Sequence, residues 1–209
     1  MNQLKSLRLR GEKILLVYIL SLIPMTVAFG LLIDAGNFWP VVISSIIIGG
    51  FYMTMTLTGD QSGDRTRVQM AAGIASMVQS ALMVVLFQEH PWQIDMHFLF
   101  FMSLALLAFF VNTQVIMAMF LVILGHHLIL NFAASSLIFP NGTSFTRLFL
   151  HGLWWIVQAG ALYELCRKLA SAFETSAIAE RDVKAALNDA EEGRRGADEA
   201  AEKISAILK

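Results

Sequence analysis

Six stretches of this chain are long and apolar enough to cross a bilayer, and that leaves few folds open to it. They lie near 14–34, 39–58, 68–88, 94–111, 115–134 and 148–167. Polar breaks separate them at Asp34 to Phe38, Gly59 to Arg67, Glu89 to Gln93, Asn112 to Gln114 and Ser135 to Arg147, where Pro91 and the Pro140, Asn141, Gly142 run predict loops. Barrel strands are shorter and alternate in polarity, so the expected fold is all-α: six transmembrane helices followed by a cytoplasmic coiled-coil helix. A net charge of −1 leaves no basic excess to suggest nucleic acid or an acidic substrate.

Charge distribution sets the orientation. Lys5, Arg8, Arg10 and Lys13 precede the first run, which continues for about 20 residues without an A-x-A cleavage pattern and so reads as a retained anchor. With the N-terminus inside, the inner segments also hold Arg65, Arg67, Arg167 and Lys168, whereas the outer loops hold only Arg147. The positive-inside rule then puts both termini in the cytoplasm of a bacterial inner membrane, with Trp39 and Trp92 in the outer aromatic belt.

Three regions follow: a cytoplasmic N-terminus over 1–13, a six-helix membrane domain over 14–168, and a cytoplasmic signalling helix over 169–209. The last 42 positions carry 16 of the 31 charged residues. Alternate steps of four and three from Leu169 meet Phe173, Ser176, Glu180, Val183, Leu187, Ala190, Arg194, Ala197, Ala201, Ile204 and Leu208. That seam is apolar enough for a coiled coil in a homodimer, though Gly193 and Gly196 weaken its middle. The single cysteine, Cys166, excludes an internal disulfide and a cysteine-rich metal site.

All five histidines, His90, His97, His126, His127 and His151, lie within or beside the last three spans. Imidazole in hydrocarbon is costly unless bonded, so such residues are candidates for function. Counting along alternating spans puts His97, His127 and His151 roughly 6 to 11 Å below the outer interface, each on a different helix. They are the expected metal ligands. His126 projects about 100° away from His127 and is a supporting residue, with Asn131, one turn after His127, and Asp95, two positions before His97. His90 reads as a loop residue outside the site. Imidazoles suit a transition-metal ion (copper, iron or zinc), and two of them on facing helices suit haem b, with Gly125 and Gly152 beside the histidines leaving room for a macrocycle. The scattered methionines read as core filling rather than copper ligands.

The run His90-Pro-Trp-Gln-Ile-Asp-Met-His97, then Gly125-His-His-Leu-Ile-Leu-Asn131, Phe139-Pro-Asn-Gly and Arg147-Leu-Phe-Leu-His151, resembles the six-span N-terminal sensor module of bacterial methyl-accepting chemotaxis proteins. The resemblance covers about residues 14 to 168. It implies a dimeric membrane receptor whose output domain, or chemotaxis kinase complex, lies beyond the helical tail. Such receptors continue into a long cytoplasmic hairpin, whereas this chain ends at Lys209, so it is expected to be either a piece of a longer receptor or a short protein signalling through its tail.

The expected function is therefore a sensor, not an enzyme: a ligand or redox change at the histidine centre near the periplasmic face is passed to the cytoplasmic helix. A membrane metalloenzyme is the alternative, with Asp95 the only carboxylate nearby. A small transporter is a third reading, for which Asp34, Asp95 and Glu164 lie near span ends rather than at mid-bilayer.

Overall fold

The computed structural model describes residues 3–59, 65–140 and 142–207. Asn141, residues 60–64 of the second break and Leu208 of the seam lie outside the described residues. Six α-helices carry the chain: α1 (Gln3–Leu32), α2 (Phe38–Thr58), α3 (Thr66–Leu86), α4 (Phe98–Leu107), α5 (Thr113–Ala133) and α6 (Phe145–Ile207). Short 3₁₀ turns at Pro91–Gln93 and Asp95–His97 lead into α4, Ala108–Phe110 closes it, and Ser135–Leu137 follows α5. No strand occurs among the described residues.

By length and composition, α1, α2, α3, the Pro91–Phe110 segment and α5 are the five helices able to cross a membrane. The sixth expected span is not among them. It is the first part of the 63-residue α6, where His151, Trp154, Trp155 and Gln158 dilute the apolar run.

Helix α3 is the spine. It packs on α1, α2, α4 and α5, and 67% of its apolar window is buried against 28–39% in the other four. It can be central because small residues face its neighbours: a Cβ on Gly73 would stand 2.7 Å from Met119 on α5. Its polar residues are buried but bonded. Ser80 and Tyr18 each lie 3.0 Å from the Ser103 hydroxyl, and Ser45 donates to Gln79 Oε1 at 2.7 Å while Gln79 Nε2 donates back to the Ser45 carbonyl. In hydrocarbon, these bonds join helices that hydrophobicity alone would not hold together.

Side chains from α1 fasten the opposite end of the bundle from the histidines. Val111 takes a left-handed conformation (φ 46°) between Phe110 and α5, and the Arg8 guanidinium donates to the Phe110 and Val111 carbonyls at 2.8 and 3.2 Å. Asn112 accepts from the Gln114 amide and donates to Gln69 Oε1, capping α5 against α3. Glu12 and Arg65 form a buried pair: Arg65 Nε lies 2.8 Å from both carboxylate oxygens and Nη2 2.6 Å from one. Arg65 Nη1 also donates to the Gly59 carbonyl, which ties the α2–α3 connection to α1.

Helix α6 packs on α5 and, more lightly, on α4. Beyond Lys168 nearly every residue is exposed, including the seam residues Val183, Leu187 and Ile204. Helix continuity follows from an absence of proline and a run of strong helix formers supported by pairs such as Lys184 to Glu180 at 2.7 Å.

Leaving one charge of a buried pair alone is far more harmful than replacing both. Glu12→Ala is expected to destabilise the bundle by about 3–5 kcal/mol, read as a lower midpoint of thermal unfolding in mild detergent. The double variant Glu12→Leu/Arg65→Leu is expected to recover much of that loss. Equal midpoints for wild type and Glu12→Ala would refute the assignment.

Candidate histidine site

Three elements deliver an imidazole to one volume. His97 ends the second 3₁₀ turn before α4, His127 lies on the inner face of α5, and His151 lies two turns into α6. Ring centroids are 5.4 Å apart for His97 and His127, 5.5 Å for His97 and His151, and 6.3 Å for His127 and His151. His97 and His127 are only 2% and 3% exposed, and His151 is half-buried.

Each ring is held in the same way. The Nδ1 of His97 donates to the Gln93 carbonyl at 3.1 Å, that of His127 to Ile123 at 3.0 Å, and that of His151 to Arg147 at 2.9 Å, always the residue four positions earlier. A carbonyl oxygen can only accept, so Nδ1 carries a proton, and in the neutral form of the ring Nε2 is the acceptor. The Nε2 atoms of His97 and His127 are buried and have no partner, as is that of His126.

Aromatic side chains wall the cluster. The Phe139 ring stacks on His97 at 5.7 Å and 11°, and Phe100 lies 5.4 Å from both His126 and His127. Trp155, one turn after His151, stacks on Phe101 at 4.1 Å and reaches His127 at 6.2 Å. A cavity of about 60 Å³ opens beside the cluster between α5 and α6, lined by His127, His151, Gly152, Trp155, Leu124 and Leu128 among others.

The supporting residues fall differently from expectation. Asp95 is exposed, and the acceptor at His97 Nδ1 is the Gln93 carbonyl in its place. The cause is the pair of 3₁₀ turns: a regular helix from Pro91 would have continued Asp95 onto a flank of α4. Asn131 is fully buried but does not hold His127. Its Oδ1 accepts from the Ser144 amide and its carbonyl from the Thr143 hydroxyl, tying the end of α5 to the start of α6. His126 lies beside Phe100 with its ring 5.1 Å from that of His127, nearer than either His97 or His151. His90 caps the first 3₁₀ turn by accepting from the Trp92 amide and packs on Phe87 and Trp92, away from the other histidines.

Gln93 and Phe139 carry no sequence signal for their roles, since one acts through its backbone and the other from a loop. Phe100 had one: it lies three residues after His97, at helical spacing.

Among the described residues, no three or more His, Cys, Asp or Glu side chains stand as placed in the arrangement of an ion site. The chemistry on offer is a set of imidazoles, of which His97, His126 and His127 have buried Nε2 atoms without a partner, beside aromatic and aliphatic walls. Compared with models of known protein families, with curated proteins and with solved structures, the chain matches none.

The tautomer is directly measurable. In ¹⁵N-histidine-labelled protein, the ring-nitrogen shifts of His97, His127 and His151 are expected to report protonated Nδ1 and bare Nε2, the form less common in free histidine. Shifts reporting Nε2–H at these three positions would contradict the geometry.

Proposed function

We propose that this chain is the membrane sensor module of a bacterial receptor of the chemotaxis type, in which His97, His127 and His151 hold a transition-metal ion through Nε2. The apolar part of α6, about 148–167, serves as the sixth span, both termini lie in the cytoplasm, and the histidines sit near the periplasmic face. The tail beyond Lys168 pairs with that of a second copy and passes the signal to an output domain or kinase complex.

The observation that carries this reading is that His151 belongs at once to the histidine cluster and to a single helix that continues for the rest of the described chain. At 1.5 Å per residue, α6 is about 95 Å long, far longer than a span requires. A change at the cluster acts on the near end of a rod whose far end is exposed. The seam residues Val183, Leu187 and Ile204, between 58% and 60% exposed, support pairing with another copy.

An ion is favoured over haem by size. Three imidazole nitrogens at about 2.0–2.1 Å from one tetrahedral ion would put ring centroids roughly 5 Å apart, near the 5.4 and 5.5 Å from His97 to the other two and shorter than the 6.3 Å between His127 and His151, which would have to close up, whereas a cavity of about 60 Å³ is too small for a macrocycle. The receptor reading is favoured over a metalloenzyme because Asp95 is exposed rather than turned to the rings.

The test is elemental analysis of protein purified in mild detergent, with an absorption spectrum to detect haem. Wild type is expected to retain a stoichiometric copper, iron or zinc ion without a haem band. The triple variant His97→Ala/His127→Ala/His151→Ala is expected to lose it while staying monodisperse. Metal content unchanged in the triple variant, or wild type that binds none on titration, would overturn the reading.

A further inference from the structure

We infer that a second copy of this chain packs on the outward face of α6 inside the membrane, where the two Gln158 carboxamides bond to each other. The inference rests on the paired-tail reading above and makes no use of the ion.

Gln158 supplies the reason. Its Nε2 donates to the Phe101 carbonyl at 2.8 Å, which uses one of two amide hydrogens, and its Oε1 is buried with no partner. The residue stands at the middle of the sixth span over 148–167. Water does not reach that depth and acyl chains carry no donor, so an acceptor left alone there is costly. A carboxamide is self-complementary. With one N–H and Oε1 still to be used, two such groups related by a two-fold axis exchange a pair of hydrogen bonds. The terminal torsion of glutamine is soft, so a small turn brings Oε1 to the surface of the helix.

The surroundings suit a helix. A groove of about 530 Å³ runs between α4 and α6, lined by Phe98, Phe101, Trp154, Val157, Gln158 and Ala161. Gln158 and the Trp154 indole are its only polar-bearing groups, and Trp154 and Val157 are 60% and 55% exposed. The short Ala161 side chain lets a second helix approach closely. A lipid chain could fill the same groove, but it would leave Oε1 without a donor.

The tail selects a second copy of this chain as the occupant. About 18 residues complete five turns of an α-helix, so positions 18 apart stand on one side of it. Gln158 is thereby aligned with the seam residue Ser176, and the exposed Leu165 with the seam residue Val183, on one continuous helix. Pairing two parallel tails along the seam therefore brings the two membrane faces together in the same register.

The test uses the full chain in phospholipid vesicles, with Cys166→Ser as background and one cysteine introduced at a time. Iodine, which dissolves in hydrocarbon, oxidises the thiols, and disulfide-linked dimer is read on a gel. Leu165→Cys and Val183→Cys are expected to cross-link, whereas Tyr163→Cys, exposed on the far side of α6, is not. Adding Gln158→Leu is expected to slow the Leu165→Cys reaction about tenfold, at about threefold for each of two interhelical bonds. Ala161→Phe fills the groove without touching the Phe101 bond, and it is expected to abolish cross-linking at 165 while sparing that at 183.

Cross-linking at 183 but not at 165, or at 165 no faster than at 163, overturns this inference, assigns the groove to lipid and leaves the paired tails standing. Indifference of Leu165→Cys to both Gln158→Leu and Ala161→Phe overturns it as well. Failure at 165 and 183 alike overturns both readings. Should Gln158→Leu unfold the protein, Ala161→Phe decides alone.

Discussion

A backbone carbonyl has two lone pairs, and the histidine cluster depends on one of them being given to a ring N–H four residues on. At His97, His127 and His151 the ring Nδ1–H goes to the carbonyl four residues back, which fixes both the ring's orientation and its tautomer. Three bare Nε2 acceptors are thereby committed to one neighbourhood. Acceptors cannot satisfy one another, and an unpartnered buried polar atom costs about 1–3 kcal/mol. The cluster is complementary to something electron-poor, a proton donor or a cation.

The rest of the bundle holds these rings to one depth. Helix α3 anchors α4 and α5 through small residues and hydroxyl bonds, so the elements bearing His97 and His127 are set by packing on a common spine. Helix α6 touches that spine hardly at all. Its start is placed by Asn131, which takes the Ser144 amide and the Thr143 hydroxyl, and by Phe139, whose ring lies 5.7 Å from His97 and 5.8 Å from His151. The third histidine is therefore held by a loop and by its neighbours rather than by the core. Of the three, its position is the easiest to shift.

The apolar runs made the helices legible from sequence, because hydrocarbon thickness and polar breaks are local properties: the bounds of α2, α3 and α5 fall within two residues of those expected, whereas α1 begins eleven residues earlier, at Gln3, and the sixth run is part of the much longer α6. That His97, His127 and His151 stand close together was legible too, since it follows from counting along alternating helices. Side-chain partners were not. Asp95 looked like the acceptor for His97 because regular helix was assumed from Pro91, and the two 3₁₀ turns turned it outward. The Glu12–Arg65 pair joins residues 53 positions apart, and nothing local marks either as buried. Asn131 read as a partner of His127 from its spacing on the helix, but its side chain serves the following loop.

How a change at the cluster would leave the bundle follows from where α6 is seated. Below His151, Trp155 stacks on Phe101, Gln158 Nε2 donates to the Phe101 carbonyl at 2.8 Å, and Cys166 lies against the Ala108 carbonyl at 3.9 Å. Positions 151, 155, 158 and 166 share one helical face, so α6 meets α4 along a single line that starts at the histidines and ends where the tail becomes exposed. The Gln158 bond uses a carbonyl that α4 needs for its own ladder, and the Trp155 stack is a flat contact that tolerates sliding better than separation. Drawing His151 toward His97 would thus rotate or slide α6 along α4 rather than bend it, and with no proline before Ile207 to absorb the motion, the displacement reaches the exposed seam intact.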